Sequence, residues 1–381
     1  MTDTHRIGLP RPRSAVLWAA LAGCAAVTAV LFVVLAPGWF ISWNFVVRGV
    51  HALFSPQPLD LYGRHPELQM GPITFLLSAP VVLLLPQLPR HVVAIVLMLG
   101  CGLAIVRELE AFVDRRDPAT RVRWFLGGLL TLAAFSELAV RYAHTDDVLA
   151  LLGVVLALGM LRRRHPLAAG LALGLAVDAK PWALPFVALL VLAEPRRRLP
   201  ALAIAGLVVV AAWAPFLLLG TGSLRALQFR IPIEGASTLR LFGVRHGTPA
   251  WCRPVQMLGG AAALLLAVRR SRWQAALLVV VAVRLLLDPA VKPYYDAGIV
   301  LGAAMADLYA VLPIATLIAT LGVALPSLLL AGDPSVRGVL RTVALLALLL
   351  VGELVPQREA PVPWARRGTV PSARAPAARP V

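Results

Sequence analysis

The chain has 381 residues, 59% of them hydrophobic, and a formal net charge of +17. Its mean hydropathy of +0.81 and its recurrent apolar runs exclude an ordinary soluble domain and predict an all-α polytopic membrane protein. The charge does not point to nucleic acid as a partner, because the arginines sit in short clusters between apolar runs, as the positive-inside rule requires.

Residues 1–14, with Arg6, Arg11 and Arg13, are expected on the cytoplasmic side. The apolar run from about Ala15 to Ala36 is too long for a typical signal-peptide core and reads as an uncleaved first helix. Residues 37–90 then form a long first external loop, within which "GPITFLLSAPVVLLLP" lies on or dips into the outer leaflet. "HVVAIVLMLGCGLAIV" is the second crossing, Arg107–Arg123 is internal, and Trp124–Val140 runs outward, so "RYAHTDD" faces out. Helix four follows at about Val148–Leu161. Between the arginine clusters "RRRH" and "PRRR", the apolar stretch must cross an even number of times. It therefore reads as two short helices meeting near Asp178-Ala179-Lys180-Pro181, with proline supplying the break. Helix seven spans about Leu199–Leu219 and leads to an external loop, Gly220–Arg253. Two helices bracket "RRSR", "LDPAVKPYYDAG" is external, and three more crossings lead back inside. The expected architecture is a transmembrane domain over residues 15–355 with about twelve helices, and a disordered cytoplasmic tail at 356–381. Cys24, Cys101 and Cys252 are scattered, with neither a disulfide framework nor zinc spacing.

On this threading the unusual polar groups gather on the outer face. The first loop carries Asp60, Tyr62, Arg64, His65 and Glu67, and the second Arg141, His144, Asp146 and Asp147. The broken helix adds Asp178 and Lys180. The later loops add Arg230, Glu234, Arg240, Arg245 and His246, then Asp288, Lys292, Tyr294, Tyr295 and Asp296. Ionised groups are costly near hydrocarbon, so each is a candidate for function. Helix capping accounts for at least one of Thr145, Asp146 and Asp147. Lysine occurs only twice, at Lys180 and Lys292, each before a proline. Asp178 is the nearest carboxylate in sequence to Lys180 and would neutralise it if the pair were purely structural. Trp182 and Trp251 read as interfacial belt residues, either of which could stack on a sugar. A carboxylate near an acceptor hydroxyl can act as a general base, and Arg, Lys and His can hold a phosphate leaving group. There is no Walker loop, zinc motif or nucleophile elbow.

The order of these features resembles the GT-C glycosyltransferases, multi-pass enzymes that use polyprenyl-phosphate sugars. "AAGLALGLAVDAKPWALPFVALL" is similar to their helical break, and "YAHTDDVLALLGVVLAL" resembles the external motif after helix three in glycosyltransferase family 87. That family includes the actinobacterial polyprenyl-phosphomannose-dependent mannosyltransferases. The resemblance covers roughly Val16–Leu219; "QMGPI" departs from the Tyr-Pro-Pro-like stretch typical of that loop. It implies an inverting transferase, with mannose the favoured sugar. The donor would be a polyprenyl-phosphate sugar and the acceptor a cell-envelope lipid or glycan at the outer face of the cell membrane. No cofactor or metal is implied, although a divalent metal is compatible with it. Asp60 matches the position of the expected base. Tyr62, Arg64, His65, His144, Asp146, Asp147, Lys180, Arg240, Arg245, His246, Lys292 and Tyr295 are the candidate substrate-binding residues. The rival classes are a transporter or flippase of a lipid-linked or polar solute, and a non-catalytic scaffold in cell-wall assembly.

Overall fold

A computed structural model describes residues 14–36, 38–114, 117–329 and 333–355. The N-terminal residues 1–13 and the tail at 356–381, both expected to be cytoplasmic, lie outside the described residues. Among the described residues the chain is helical, with no strand. Helix α1 (Ser14–Leu35) leads to α2 (Trp43–Leu53), α3 (Pro72–Leu84) and α4 (Gln87–Glu110). Helix α5 (Pro118–Ser136) runs on through a π-helical turn, Glu137–Tyr142, and reverses into α6 (Thr145–Arg162). Then come α7 (Pro166–Ala179), a 3-10 segment (Pro181–Leu192) and α8 (Pro195–Leu219). After a long loop follow α9 (Cys252–Arg269), α10 (Ala276–Leu286) and α11 (Asp296–Asp307), helical turns over 314–329, and α12 (Pro334–Leu354). By length and composition α1, α4, α5 with its π turn, α8 and α12 could each cross a membrane.

Burial separates a central group of helices from an outer one. Every residue of α11 is buried, and so is most of α6 and α10. Helices α1 and α8 are the reverse: Val27, Val34, Leu35, Leu207 and Leu218 are all more than half exposed. Apolar side chains exposed in this number along whole helices suit hydrocarbon as their solvent. Helix α8 still lies close against α7. A Cβ added at Gly170 would stand 2.2 Å from the Ala201 carbonyl oxygen, and one at Gly174 would be 2.9 Å from the Ala205 carbonyl oxygen. These glycines let the two backbones meet, as small residues do in membrane bundles.

Local chemistry sets the helix boundaries. Pro72, Pro118, Pro166, Pro181, Pro195 and Pro334 each open a helical segment, where the missing N–H costs nothing. Asp117 caps α5 by accepting from the Ala119 amide at 2.9 Å, and Asp333 caps α12 by accepting from the Ser335 amide at 2.8 Å. Between α5 and α6 the chain turns at Ala143, which has φ 53, a left-handed backbone unusual for a residue with a Cβ. The amides of Phe40, Ile41 and Ser42 donate to the carbonyls of Val140, Arg141 and Tyr142 at 2.9–3.0 Å, which satisfies the end of the π turn. The expected break after Ala179 is present. Pro181 disfavours the helical region for the residue before it, and Lys180 is extended at φ −148, ψ 113.

The bundle has two distinct ends. At one, Arg163 pairs with Glu108 at 2.7 Å, Arg270 lies 3.4 Å from Glu353, and Trp18 donates to Glu110. At the other, the loops around residues 60–71, 143–147, 178–182, 220–253 and 287–295 meet. There the Gly71 amide donates to the Ala179 carbonyl at 3.0 Å, Arg253 to Gln69 at 2.9 Å, and the Glu234 amide to the Pro289 carbonyl at 2.9 Å.

Candidate functional site

The turn at Ala143 and the break at Lys180 place two polar segments side by side at the loop-rich end. His144 is the residue before α6, and Asp146 and Asp147 lie in its first turn. The capping expectation is not met: no side chain caps the start of α6. The carboxylates instead face other helices. Asp146, with no exposed surface, ion-pairs with Lys180 and lies 3.2 Å from His144 Nδ1. Asp147 accepts a 2.7 Å hydrogen bond from Trp182 Nε1, with Arg284 at 3.7 Å and Lys180 at 3.8 Å. Lys180 is therefore neutralised by Asp146 and Asp147 from a neighbouring helix. Asp178, its expected partner, takes the Ile73 amide instead. Trp182 is buried against Asp147 and Arg284 and is not a belt residue in this fold.

Arg284 completes the arrangement from α10. Its guanidinium lies 4.3 Å from the Trp182 ring centroid and 4.4 Å from that of Tyr295, and it faces Asp288 at 3.7 Å. Tyr294 stacks on His144 with ring centroids 3.8 Å apart. Four of the expected site residues, His144, Asp146, Asp147 and Lys180, thus meet in one buried group, with Tyr295 against its edge. Arg284 was not anticipated. Its signal in the sequence is a lone cation inside "LLVVVAVRLLLDP", the same kind of signal that singles out Lys180.

The remaining candidates lie apart from this group. Asp60 ends a 3-10 turn, and its Oδ1 accepts from both the amide and the hydroxyl of Thr221 at 2.7 Å. Those two bonds, assisted by Arg64 at 3.9 Å, hold the Asp60 carboxyl below the ordinary carboxylate range. Tyr62 is buried, stacked on Trp213 at 4.9 Å, and donates to the Met70 carbonyl. His65 lies 3.5 Å from Glu67, which pairs with Arg48. Arg240, Arg245 and His246 are exposed on the loop after α8. Lys292 ion-pairs with Glu234, whose other oxygen accepts from the Val291 amide at 2.8 Å.

Ligand atoms of His144, Asp146 and Asp147 all lie within 4.8 Å of one another, a spacing that a metal ion could use. Lys180 and Arg284 already face these carboxylates, so a cation bound there would have to compete with both side chains.

The loop carrying Asp60 is joined to the broken helix at Gly71. A Cβ there would fall 1.5 Å from the Asp178 carbonyl oxygen, a backbone atom that cannot give way alone. Gly71→Ala is expected to lower stability by about 1–3 kcal/mol or more, as overpacking does. Gly100, with nothing within 4 Å, is the control: its alanine variant should be neutral or stabilising, by up to about 1 kcal/mol. Thermal denaturation in detergent compares the two, and equal midpoints would rule out the close packing at Gly71. No known protein family, curated protein or solved structure matches the chain.

Proposed function

We propose that the chain is a GT-C-like membrane glycosyltransferase. It moves a sugar, best assigned as mannose, from a polyprenyl-phosphate donor to a cell-envelope lipid or glycan. The observation that carries this reading is the buried group of Lys180, Arg284, Asp146 and Asp147 at the end of the bundle where the loops converge. Two cations there can take up the charge of a phosphate as it leaves, in a setting where water screens little. The loop bearing Asp60 is bonded to the same break through Gly71 and Ala179.

In this reading twelve segments cross the membrane. The five long helices are joined by α6, α7, the 3-10 segment, α9, α10, α11 and the turns over 314–329. The arginine-rich end is cytoplasmic and the buried group faces outward. The acceptor oxygen attacks the anomeric carbon as its proton passes to Asp60. The bond from that carbon to the phosphate oxygen breaks, its electron pair leaves with polyprenyl phosphate, and the configuration inverts.

A second reading, a transporter of a lipid-linked or polar solute, draws on one observation: the buried ion pair sits at a helix break, as in transporters with discontinuous helices. Sealed right-side-out vesicles containing the protein separate the two. With polyprenyl-phosphate sugar and acceptor supplied outside, the transferase forms an inverted glycoside and releases polyprenyl phosphate. Inside-out vesicles do so only after permeabilisation. Passage of the lipid-linked sugar between leaflets with no glycoside formed would overturn the transferase.

A further inference from the structure

A cavity stands at the opposite, arginine-rich end, where α6 turns into α7 and the 3-10 segment turns into α8. It has a volume of about 1110 Å³ and is an open cleft in the bundle. Five basic side chains line it, Arg164, His165, Arg196, Arg197 and Arg198, against one acid, Glu194. The internal ion pair nearby does not use them: Arg163, which is not in the lining, is the residue that meets Glu108. Arg198 spends its Nε on the Ala193 carbonyl at 2.9 Å and keeps its terminal nitrogens for another partner. Arg196 and Arg197 are exposed. Such a lining favours an anion.

The walls are apolar. Leu167 and Val191 line the cleft, and below it Leu167, Leu171 and Leu175 follow one another at helical spacing along α7, each between 37% and 46% exposed. Leu199 and Leu202, three residues apart on α8, are exposed at 75% and 47%. An inorganic phosphate would fill a small fraction of this volume and leave the leucine track bare. A molecule with an anionic head and hydrocarbon chains would cover both.

We propose that this cleft binds one anionic phospholipid. Its phosphate lies among Arg196, Arg197 and Arg198, and its acyl chains lie along the exposed leucines of α7 and α8. The site is at the other end of the bundle from Lys180 and does not depend on the transferase reading. Basic pockets between membrane helices on the cytoplasmic side are suited to such headgroups.

Native mass spectrometry of the full chain, released from detergent in the presence of phosphatidylglycerol or phosphatidylcholine, tests it. One phosphatidylglycerol per chain should persist where phosphatidylcholine is lost. The triple variant Arg196→Gln, Arg197→Gln, Arg198→Gln should bind about a hundredfold more weakly. Removing three arginines can also disturb insertion, so Ala168→Trp, which fills the cleft and keeps every charge, is the second arm. It should abolish the adduct in a chain that inserts normally. A control variant, Arg366→Gln with Arg367→Gln and Arg374→Gln, should retain it. The proposal fails if the two lipids bind equally, if the control loses as much as the triple variant, or if Ala168→Trp retains the lipid. It also fails if inorganic phosphate alone displaces phosphatidylglycerol, which would make the cleft a free-phosphate site.

Discussion

Asp60→Asn is expected to lower turnover by about 10²–10⁴-fold and to leave donor affinity nearly unchanged, if Asp60 is the general base of the proposed transferase. The fold should survive the change. Thr221 donates its amide and hydroxyl to a single Asp60 oxygen, and asparagine presents an equivalent acceptor in the same place. What disappears is the capacity to take a proton. Because Thr221 keeps the carboxyl below the usual range, the ionised form persists to lower pH than an ordinary aspartate would allow. The acid limb of the rate profile should therefore fall below the ordinary carboxylate range, and Thr221→Val should move it upward. Normal turnover in Asp60→Asn, with loss in Glu67→Gln or Asp146→Asn, would transfer the role to one of those carboxylates. Normal turnover in all three would remove the catalytic proposal for this end of the bundle.

Lys180→Met is expected to destabilise the protein by about 3–5 kcal/mol, because it leaves the fully buried Asp146 without its cation. The double variant Lys180→Met with Asp146→Asn should recover most of that loss, since neither buried charge is then unmatched. Donor binding should stay lost in both, because the phosphate would still lack its lysine. Denaturation midpoints in detergent give the first quantity, and retention of a polyprenyl-phosphate sugar gives the second. Rescue of stability by Asp178→Asn in place of Asp146→Asn would show that the pairing across α6 and α7 is wrong. Full recovery of donor binding in the double variant would reduce Lys180 to a structural role.

The helices and the break were readable because their causes are local. Apolar runs between arginines mark membrane-length segments, and Pro181 alone is enough to push Lys180 out of the helix. The partners of the buried charges were not readable, because they depend on which helices pack together. Lys180 lies two residues from Asp178, yet it meets Asp146, 34 positions away, once α6 and α7 are adjacent. The two carboxylates of "HTDD" look like caps at a helix start, but the close approach of Lys180, Trp182 and Arg284 turns them away from their own backbone. Trp182 has the composition of a belt residue, and only packing shows its indole nitrogen bound to Asp147. Tyr62 likewise reads as a polar loop residue, whereas its ring is buried against Trp213.

The glycine seam between α7 and α8 makes the bundle act as a lever. Gly170 and Gly174 are fulcrum points, because there the two backbones come close. The far arm is the part of α8 from Ala205 to Leu219, about 21 Å at 1.5 Å per residue, and just beyond its tip lies Thr221, the residue that grips Asp60. A methyl group at Gly170 would tilt that arm, and a small angle at the fulcrum becomes a displacement of ångströms at the tip. A substitution beside the arginine-rich cleft would then be felt as a change in the acidity of a carboxylate at the opposite end of the molecule.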